Sequence, residues 1–265
     1  MKGMCLAIAF AVISSTAIAG TCVDPLDTYN DYNEEVTQEP NLVDSEFYVL
    51  SYSWAPKHCE GKDAQPGDKD YLQCHPSKNH YYVLHGLWPQ GKFADAKNYP
   101  RACNGDREKI PRDVLNKYLC MTPSVWLLQH EFEYHGGACM PDGLTSVDDY
   151  FNTAQRLHSR MTLPKERLYD EASSYTKLAE LNKGIGLKET SIRFYKDEWL
   201  FCIDNKFNFV DCPTCPVKGN INKKGKKLYF TESHPDYKKV IIKSDDGEQC
   251  FQSEEAAQKA GWTKA

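Results

Sequence analysis

Short stretches rich in aromatic and β-branched residues occur near both ends of the chain. Such residues favour strands, and polar turn residues separate the stretches from one another. The strands predicted in this way are 46–54, 81–84, 191–195, 198–203 and 207–210.

Helical patterns occupy the middle of the chain. Residues 124–135 follow Thr122-Pro123, a typical helix start, and stop at Gly136-Gly137, a typical helix end. Residues 147–159 and 172–181 have the pattern of two further amphipathic helices. Helices between strand-rich ends predict an α+β fold, with an antiparallel β-sheet core and several packed helices.

The N-terminal region divides into two segments. Residues 1–19 have the pattern of a secretory signal peptide, with Lys2 before a short apolar run and Ala17-Ile18-Ala19 before the expected cleavage site. Residues 20–43 are acidic and lack apolar periodicity, so we expect a solvated arm. Residues 44–265 show no repeat or linker and are predicted to form one domain. We expect a soluble protein that is secreted to an extracellular, periplasmic or other exported compartment, without membrane attachment.

Ten cysteines remain when Cys5 is removed with the predicted signal peptide. An even number of cysteines in an exported chain is typical of a disulfide framework. Cys212 and Cys215 have the spacing of a zinc-binding or redox motif, but a single CxxC lacks the second pair that such zinc sites usually have. We therefore favour structural disulfides over a metal site.

The charge balance is acidic. With Lys2 removed, 31 basic residues (32 less one) stand against 37 acidic residues, a net charge of −6. This argues against nucleic-acid binding through a broad basic surface, although an enzyme that holds one or two phosphates in a pocket remains compatible. The lysine-rich segment from Lys218 to Lys227 is either a loop that follows an RNA backbone or an ordinary solvated turn.

Two short blocks carry the candidate chemistry. His85-Gly86-Leu87-Trp88-Pro89-Gln90 lies at the end of a predicted strand, and His130-Glu131-Phe132-Glu133-Tyr134-His135-Gly136 lies at the end of the helix predicted at 124–135. On that helix Glu131 and His135 share one face, and His130 and Tyr134 lie on the neighbouring flank. A pair of histidines can act as base and acid at one phosphodiester. The spacing of His130 and His135, five residues rather than four, argues against a metalloprotease-like zinc site.

These blocks resemble the two active-site segments of the ribonuclease T2 family, which have the forms HGLWP and HE(W/F)xKHG. Residues 47–54, 201–204 and 210–213 also resemble family strands, so the similarity covers roughly residues 45 to 255. The resemblance implies a T2-like fold and a metal-independent endoribonuclease without a cofactor. It also implies cleavage of single-stranded RNA with low base specificity, through a 2′,3′-cyclic phosphate. We expect a monomer.

The resemblance gives each residue of the two blocks a role. His135 is implied as the base toward the 2′-hydroxyl, and His85 as the acid toward the 5′-oxygen. His130 would hold the phosphate, and Glu131 would help to stabilise the transition state. Trp88 would stack on a base. A bell-shaped pH profile on the acidic side of neutrality is also implied.

The resemblance also implies disulfide pairings. Cys139 is expected to bond to an upstream cysteine, for which we expect Cys120. Cys202 and Cys250 are expected to join the closing strands to the C-terminus.

Tyr134 departs from the family pattern, because it occupies the position where the family usually has a lysine. A phenol can contact the substrate but brings no positive charge, and losing one transition-state stabiliser costs on the order of a hundredfold in rate in other enzymes. We expect a slower or differently tuned nuclease. The alternative is a catalytically weakened protein on the same fold that binds RNA or another protein, and the retention of His85, His130, Glu131 and His135 argues against it.

Overall fold

A computed structural model describes residues 22–33, 35–91, 100–141, 144–243 and 246–265, so the predicted signal peptide lies outside the described residues. The helices are α1 Ala55–His58, α2 Tyr71–Cys74, α3 Arg112–Leu115, α4 Val125–His135, α5 Val147–His158, α6 Ala172–Leu181 and α7 Glu254–Lys259. The strands are β1 Phe47–Trp54, β2 Tyr82–Gln90, β3 Ile192–Tyr195, β4 Glu198–Ile203, β5 Val217–Ile221, β6 Lys227–Thr231, β7 Gln249–Phe251 and β8 Thr263–Lys264. Within the described ranges, no helix is long and apolar enough to cross a membrane.

The first sheet has the strand order β2-β1-β4-β3, and all of its neighbouring strands are antiparallel. With the helices packed against it, this sheet confirms the predicted α+β fold. The strand predicted at 207–210 is wrong, because Phe209 makes only an isolated bridge with Ile203. The side chain of Asp204 accepts hydrogen bonds from the backbone amides of Lys206 and Asn208, which turns the chain before a ladder can form.

Strand β1 separates the main core from the opposite face of the sheet. Its residues Tyr48, Leu50 and Tyr52 are buried in the cluster that also holds Phe132 of α4 and Phe151 of α5. Side chains alternate between the two faces of a strand, so the odd-numbered residues of β1 lie on the other face. That face carries the candidate site.

Helix α4 has the limits that the sequence predicted. The Ser124 hydroxyl caps it by accepting a hydrogen bond from the Leu127 amide at 3.2 Å. At the other end, a Cβ atom on Gly136 would lie 2.5 Å from the ring of Phe132, so only glycine fits. This termination leaves His135 as the last residue of the helix.

The C-terminal residues form a second sheet, which the sequence analysis did not predict. Its strand order is β7-β5-β6-β8, and it encloses a separate apolar cluster of Val217, Tyr229, Phe251, Ala257 and Trp262. We call residues 217–265 the C-terminal module. The lysine-rich segment between Lys218 and Lys227 is therefore a β-hairpin within this module.

The ten cysteines form five disulfides, which join Cys22 to Cys120, Cys59 to Cys74, Cys103 to Cys139, Cys202 to Cys212 and Cys215 to Cys250. Cys139 bonds to an upstream cysteine as expected, but to Cys103, so the expected partner Cys120 is wrong, and so is the expected pairing of Cys202 with Cys250. Cys120 and Cys139 lie beyond opposite ends of α4, and its 11 residues extend roughly 16 Å, much farther than a disulfide spans. Cys202 bonds to Cys212 instead, because the loop after β4 returns to that strand.

The N-terminal arm is mostly exposed and is anchored to the domain at a few points. Tyr32 is 2% exposed, and its hydroxyl donates a hydrogen bond to the carbonyl of Ile110 at 2.8 Å. Arg112 pairs with Asp27, and the disulfide of Cys22 fixes the beginning of the described arm. Most of the described residues of the arm are nevertheless exposed, and these contacts hold the arm in place.

Candidate active site

A bulge in β2 places His85. Ser51 of β1 faces Gly86, whereas the next residue, Tyr52, faces Leu84, so His85 is the extra residue on β2. Bulges redirect side chains and are common beside active sites. Here the bulge turns the His85 ring toward the face of the sheet that carries Ser51.

Two carboxylates contact the His85 ring from opposite sides. Its Nδ1 lies 2.5 Å from Oε1 of Glu198 on β4, and its Nε2 lies 3.4 Å from Oε1 of Glu131 on α4. Ser51 donates a hydrogen bond to Oε2 of Glu198 at 2.9 Å. Burial disfavours the charged imidazole, but the charges and hydrogen bonds of Glu131 and Glu198 outweigh it and raise the pKa of His85 to about 10. His85 is therefore a cation at neutral pH.

Glu131 is the buried centre of the site. Its side chain is 2% exposed, and its Oε2 accepts a hydrogen bond from Trp88 Nε1 at 2.8 Å. Burial alone would raise its pKa, but the neighbouring histidines His85 and His135 hold the pKa of Glu131 below its usual value, so it is ionised. A Cβ atom on Gly86 would lie 1.7 Å from Oε2 of Glu131. The glycine in the first block is thus required by the carboxylate in the second.

His135 has the opposite protonation state from His85. It is buried at the end of α4, and burial lowers its pKa to about 4 despite the attraction of Glu131. The helix dipole favours the charged form at this position, so burial is the stronger effect. Among the described residues, its Nδ1 has no hydrogen-bond partner. The ring is a neutral imidazole with a nitrogen able to accept a proton.

Trp88 joins the two histidines. Its ring centroid lies 5.0 Å from that of His85 and 5.5 Å from that of His135. The indole also packs against Val49 and the disulfide cysteines Cys202 and Cys212 on the same face of the sheet. It therefore orients Glu131 and supports both histidine rings, and its stacking on a base stays a prediction.

His130 and Tyr134 lie on the neighbouring flank of α4, as their spacing predicted. The His130 ring stacks between Trp126, at 5.1 Å, and Tyr134, at 4.3 Å. The Tyr134 ring centroid is 6.3 Å from that of His135. The ammonium of Lys69 lies over Trp126, at the far end of this stack, so it does not replace a cation at position 134.

The structure thus brings together His85, Trp88, Glu131 and His135 and places His130 and Tyr134 beside them. Glu198 and Ser51 come from two other strands and were not predicted from the sequence. Glu198 lies inside a predicted strand beside Trp199, and a carboxylate at such a position was the only available indication of a buried role.

The described residues contain one group of side chains close enough together to hold a metal ion, formed by His58, Asp70 and Cys74. Cys74 is bonded to Cys59, so it offers no thiolate ligand. This group includes none of the residues of the two sequence blocks.

Comparisons with known proteins give the same relationship as the two sequence blocks. The sequence model of the Ribonuclease T2 family matches residues 45–173. The chain is 33% identical over 173 residues to a probable ribonuclease of Haemophilus influenzae, an alignment that covers 63% of this chain and 61% of the relative. It is 37% identical over 105 residues to a ribonuclease of Aeromonas hydrophila, covering 40% of this chain and 43% of the relative. The chain thus spans less than two thirds of the length of either relative.

A longer alignment and a solved structure extend the comparison. Ribonuclease DdI of Dictyostelium discoideum is 24% identical over 224 residues, which cover 77% of this chain and 90% of the relative. An RNase-related protein from Calystegia sepium superposes with a TM-score of 0.47 and 16% identity, over 64% of this chain and 92% of that protein. The family match ends at residue 173, before β3 and the C-terminal module begin.

We predict that His85 and His135 titrate at opposite extremes. NMR titration of the imidazole resonances should show His135 neutral at neutral pH, with a pKa near 4, because of its burial, and His85 still protonated, with a pKa near 10. Glu131→Gln should lower the pKa of His85, since it removes one of the two carboxylates. Similar titration of His85 and His135 would contradict the described electrostatics.

Proposed function

The chain belongs to the ribonuclease T2 family through residues 45–173, and from this membership we propose that it is a metal-independent endoribonuclease that cleaves single-stranded RNA through a 2′,3′-cyclic phosphate. The observation that carries the proposal is the buried Glu131 that lies 3.4 Å from His85, with the ring of Trp88 packed between His85 and His135, of which the first is protonated and the second neutral. Acid and base chemistry need opposite protonation states in two neighbouring groups.

The first step is a transesterification. His135 accepts the proton of the ribose 2′-hydroxyl, and the 2′-oxygen attacks the adjacent phosphorus. The bond from phosphorus to the 5′-oxygen breaks, and His85 donates a proton to that oxygen. The products are a 2′,3′-cyclic phosphate and a free 5′-hydroxyl, and one proton has moved from His85 to His135.

The second step hydrolyses the cyclic phosphate with the roles exchanged. His85, now neutral, accepts a proton from water, whose oxygen attacks the phosphorus. His135 returns its proton to the 2′-oxygen as the bond to phosphorus breaks, leaving a 3′-phosphate. Both histidines then have their starting protonation states.

Glu131 supports both steps because it is close to both histidines. Before the first step it faces the cationic His85, and afterwards it faces the cationic His135. Its own charge and position stay unchanged, since Trp88 and the space beside Gly86 fix the carboxylate. A charge that is already in place needs no reorganisation in the transition state.

The substrate class follows from the chemistry of the site. The 2′-hydroxyl attack requires RNA, and a base that contacts an aromatic ring at the active site must first leave its helix, which favours single strands. Stacking on Trp88 or Tyr134 would show little base preference, since every base has a π-face. The five disulfides and the signal-peptide pattern support an exported protein.

We predict that His85→Ala and His135→Ala each reduce RNA cleavage by on the order of a thousandfold or more, because each variant lacks one proton-transfer group. Cleavage of a short single-stranded RNA in EDTA, with cyclic-phosphate ends scored, measures this. His58→Ala is the matched control, since His58 is an exposed histidine paired with Asp70 away from the site. Dependence on added metal, or equal loss in the control, would refute the proposal.

The dependence of kcat/KM on pH should follow the two histidines. His135 must be neutral and His85 protonated, so activity falls below the pKa of His135, about 4, and above that of His85, about 10. The expected profile is therefore broader than the acidic one that the resemblance implies.

Tyr134→Lys should increase the rate of cleavage by about tenfold or more, because it supplies a cation close to His135 that can neutralise the transition-state oxygens. Single-turnover cleavage of the same RNA gives the rate of the chemical step. Tyr134→Phe controls for loss of the hydroxyl, and Tyr134→Gln controls for loss of the aromatic stack on His130. An unchanged rate in Tyr134→Lys, with its fold intact, would show that the missing cation does not limit catalysis.

A further inference from the structure

The tip of the β5–β6 hairpin carries three exposed lysines, Lys223, Lys224 and Lys226. We propose that this lysine hairpin binds the phosphate backbone of single-stranded RNA and so captures long substrates outside the active site. The choice of RNA as the polyanion rests on the proposed function, but the binding itself does not need catalysis.

The C-terminal module differs in charge from the rest of the protein. Residues 217–265 contain ten lysines and seven acidic residues, a net charge of +3, whereas the whole chain carries −5. Residues 1–216 therefore carry −8. A charge asymmetry of this kind indicates nucleic-acid binding by the basic part.

The loop of the hairpin has a defined conformation. The Asn222 side chain accepts hydrogen bonds from the amides of Lys224 and Lys226, at 2.9 and 3.0 Å. Gly225 has a φ of +74°, which closes the turn and favours glycine. The three lysines are thus presented on a fixed loop, and their backbone is ordered before any ligand binds.

Two acidic residues of the C-terminal module are already engaged elsewhere. Glu248 is buried and accepts hydrogen bonds from the Ile221 and Lys243 amides, at 2.9 and 2.8 Å. Glu254 pairs with Lys264 and accepts a hydrogen bond from Tyr229. Over the described ranges, no salt bridge joins Lys223, Lys224 or Lys226 to a carboxylate.

The other lysines of the segment have structural contacts. The ammonium of Lys218 donates hydrogen bonds to the carbonyls of Tyr237 and Val240, at 3.0 and 2.8 Å. The ammonium of Lys227 lies 5.6 Å from the centre of the Trp262 ring. The binding surface is therefore limited to the three lysines at the tip, rather than the whole segment.

Lysine side chains recognise phosphate charge and not base sequence, and the side-chain oxygen of Asn222 is already occupied by the loop amides. Three such contacts on a single strand release about two counterions, since the salt slope is about 0.7 per phosphate. Their effect should be strong for long RNA and absent for a dinucleotide that fills only the active site. The lysine hairpin thus increases local substrate concentration without changing the chemistry.

The test is binding of a fluorescent 2′-O-methyl RNA of about twenty nucleotides, which lacks the attacking hydroxyl and cannot be cleaved. The variant K223Q/K224Q/K226Q should bind about tenfold more weakly at about 0.1 M salt, and its salt slope should be smaller by about two. The control K177Q/K183Q/K188Q removes the same charge from exposed lysines that pair with acidic residues. It should bind like the unmodified protein.

A second experiment measures kcat/KM for substrates of different length. The hairpin variant should lose about tenfold in kcat/KM on long RNA and stay within about twofold on a dinucleotide. Equal loss in the control variant, or an unchanged salt slope, would overturn the proposal. Unchanged RNA binding together with lysine-dependent binding to vesicles that contain phosphatidylglycerol would assign the lysine hairpin to an anionic membrane instead. Absence of any RNA cleavage would refute the proposed function and leave the binding result valid.

A second inference rests on a different observation, the contact between Glu198 and His85. We infer that Glu198 is a positioning residue for the acid of the proposed reaction. Its Oε1 holds Nδ1 of His85 at 2.5 Å, while Ser51 fixes its other oxygen. This contact leaves Nε2, with only a 3.4 Å contact to Glu131, as the nitrogen that delivers a proton to the 5′-oxygen.

Within the described part of the chain, the charged and titratable groups that face His85 come from two elements. Glu198 on β4 contacts one nitrogen, Glu131 on α4 contacts the other, and His135 of α4 acts through space. Glu198→Gln keeps the shape and a carbonyl acceptor for Nδ1 but removes one negative charge. Protonated His85 then loses stabilisation, so it deprotonates at lower pH.

The expected result is a kcat/KM profile whose basic limb moves down by at least about one pH unit, with little change on the acidic side. At about pH 10 the variant should therefore be at least about fivefold slower than the unmodified protein, and at about pH 6 within threefold. Glu232→Gln, at an exposed carboxylate of the C-terminal module, is the matched control. A uniform loss at all pH values, or an unmoved basic limb, would overturn the assignment.

Discussion

Burial of the Glu131 carboxylate is unfavourable unless close partners neutralise it and satisfy its oxygens, and those partners are the site itself. His85 supplies a cation 3.4 Å away, Trp88 donates a hydrogen bond at 2.8 Å, and Gly86 leaves the space that the carboxylate fills. His85, Gly86 and Trp88 of the first sequence block are thus needed to bury the carboxylate of Glu131 in the second block. The same carboxylate sets the proton distribution, since its charge favours a cation on either neighbouring histidine. His85 is protonated because a second carboxylate, Glu198, adds to the effect of Glu131. His135 has only Glu131, and burial keeps its ring neutral.

The position of His85 depends on a distortion of the sheet. In a regular β2 strand, His85 and Gly86 would point to opposite faces, and the block could not place both beside Glu131. The extra residue at the bulge removes this conflict, so the His85 ring reaches Glu198 across the central strand β1 while Leu84 and Leu87 stay in the main core. Packing of the core and placement of the acid are therefore achieved by consecutive residues of one strand.

Local patterns in the sequence predicted the parts of the fold that depend on local interactions. Helix α4 was predicted within one residue from its cap and its glycine terminator, and α5 and α6 from apolar periodicity. Interactions between distant residues were not predicted. Glu198 lies 113 residues from His85, and no local pattern relates them. The pairing of Cys120 with Cys139 could have been excluded from the length of the helix between them, whereas the true partners, Cys22 and Cys103, are set by the tertiary fold.

The second sheet was missed because its strands are short and interrupted by lysines and glycines.

The electrostatics of the site also explain why a basic surface elsewhere in the chain would matter. With His85 protonated and His135 neutral, the carboxylates of Glu131 and Glu198 exceed the one cation between them, and Tyr134 adds no charge. An approaching phosphodiester therefore meets an excess of negative charge at His85, within a part of the chain, residues 1–216, whose net charge is −8. Repulsion of this kind weakens the binding of a polyanion and slows its approach. A cation in the active site would offset this repulsion for every substrate. Lysines on a separate hairpin would offset it only for RNA long enough to contact the hairpin and the active site together. The position of the positive charge in this chain would thus make substrate length a determinant of turnover.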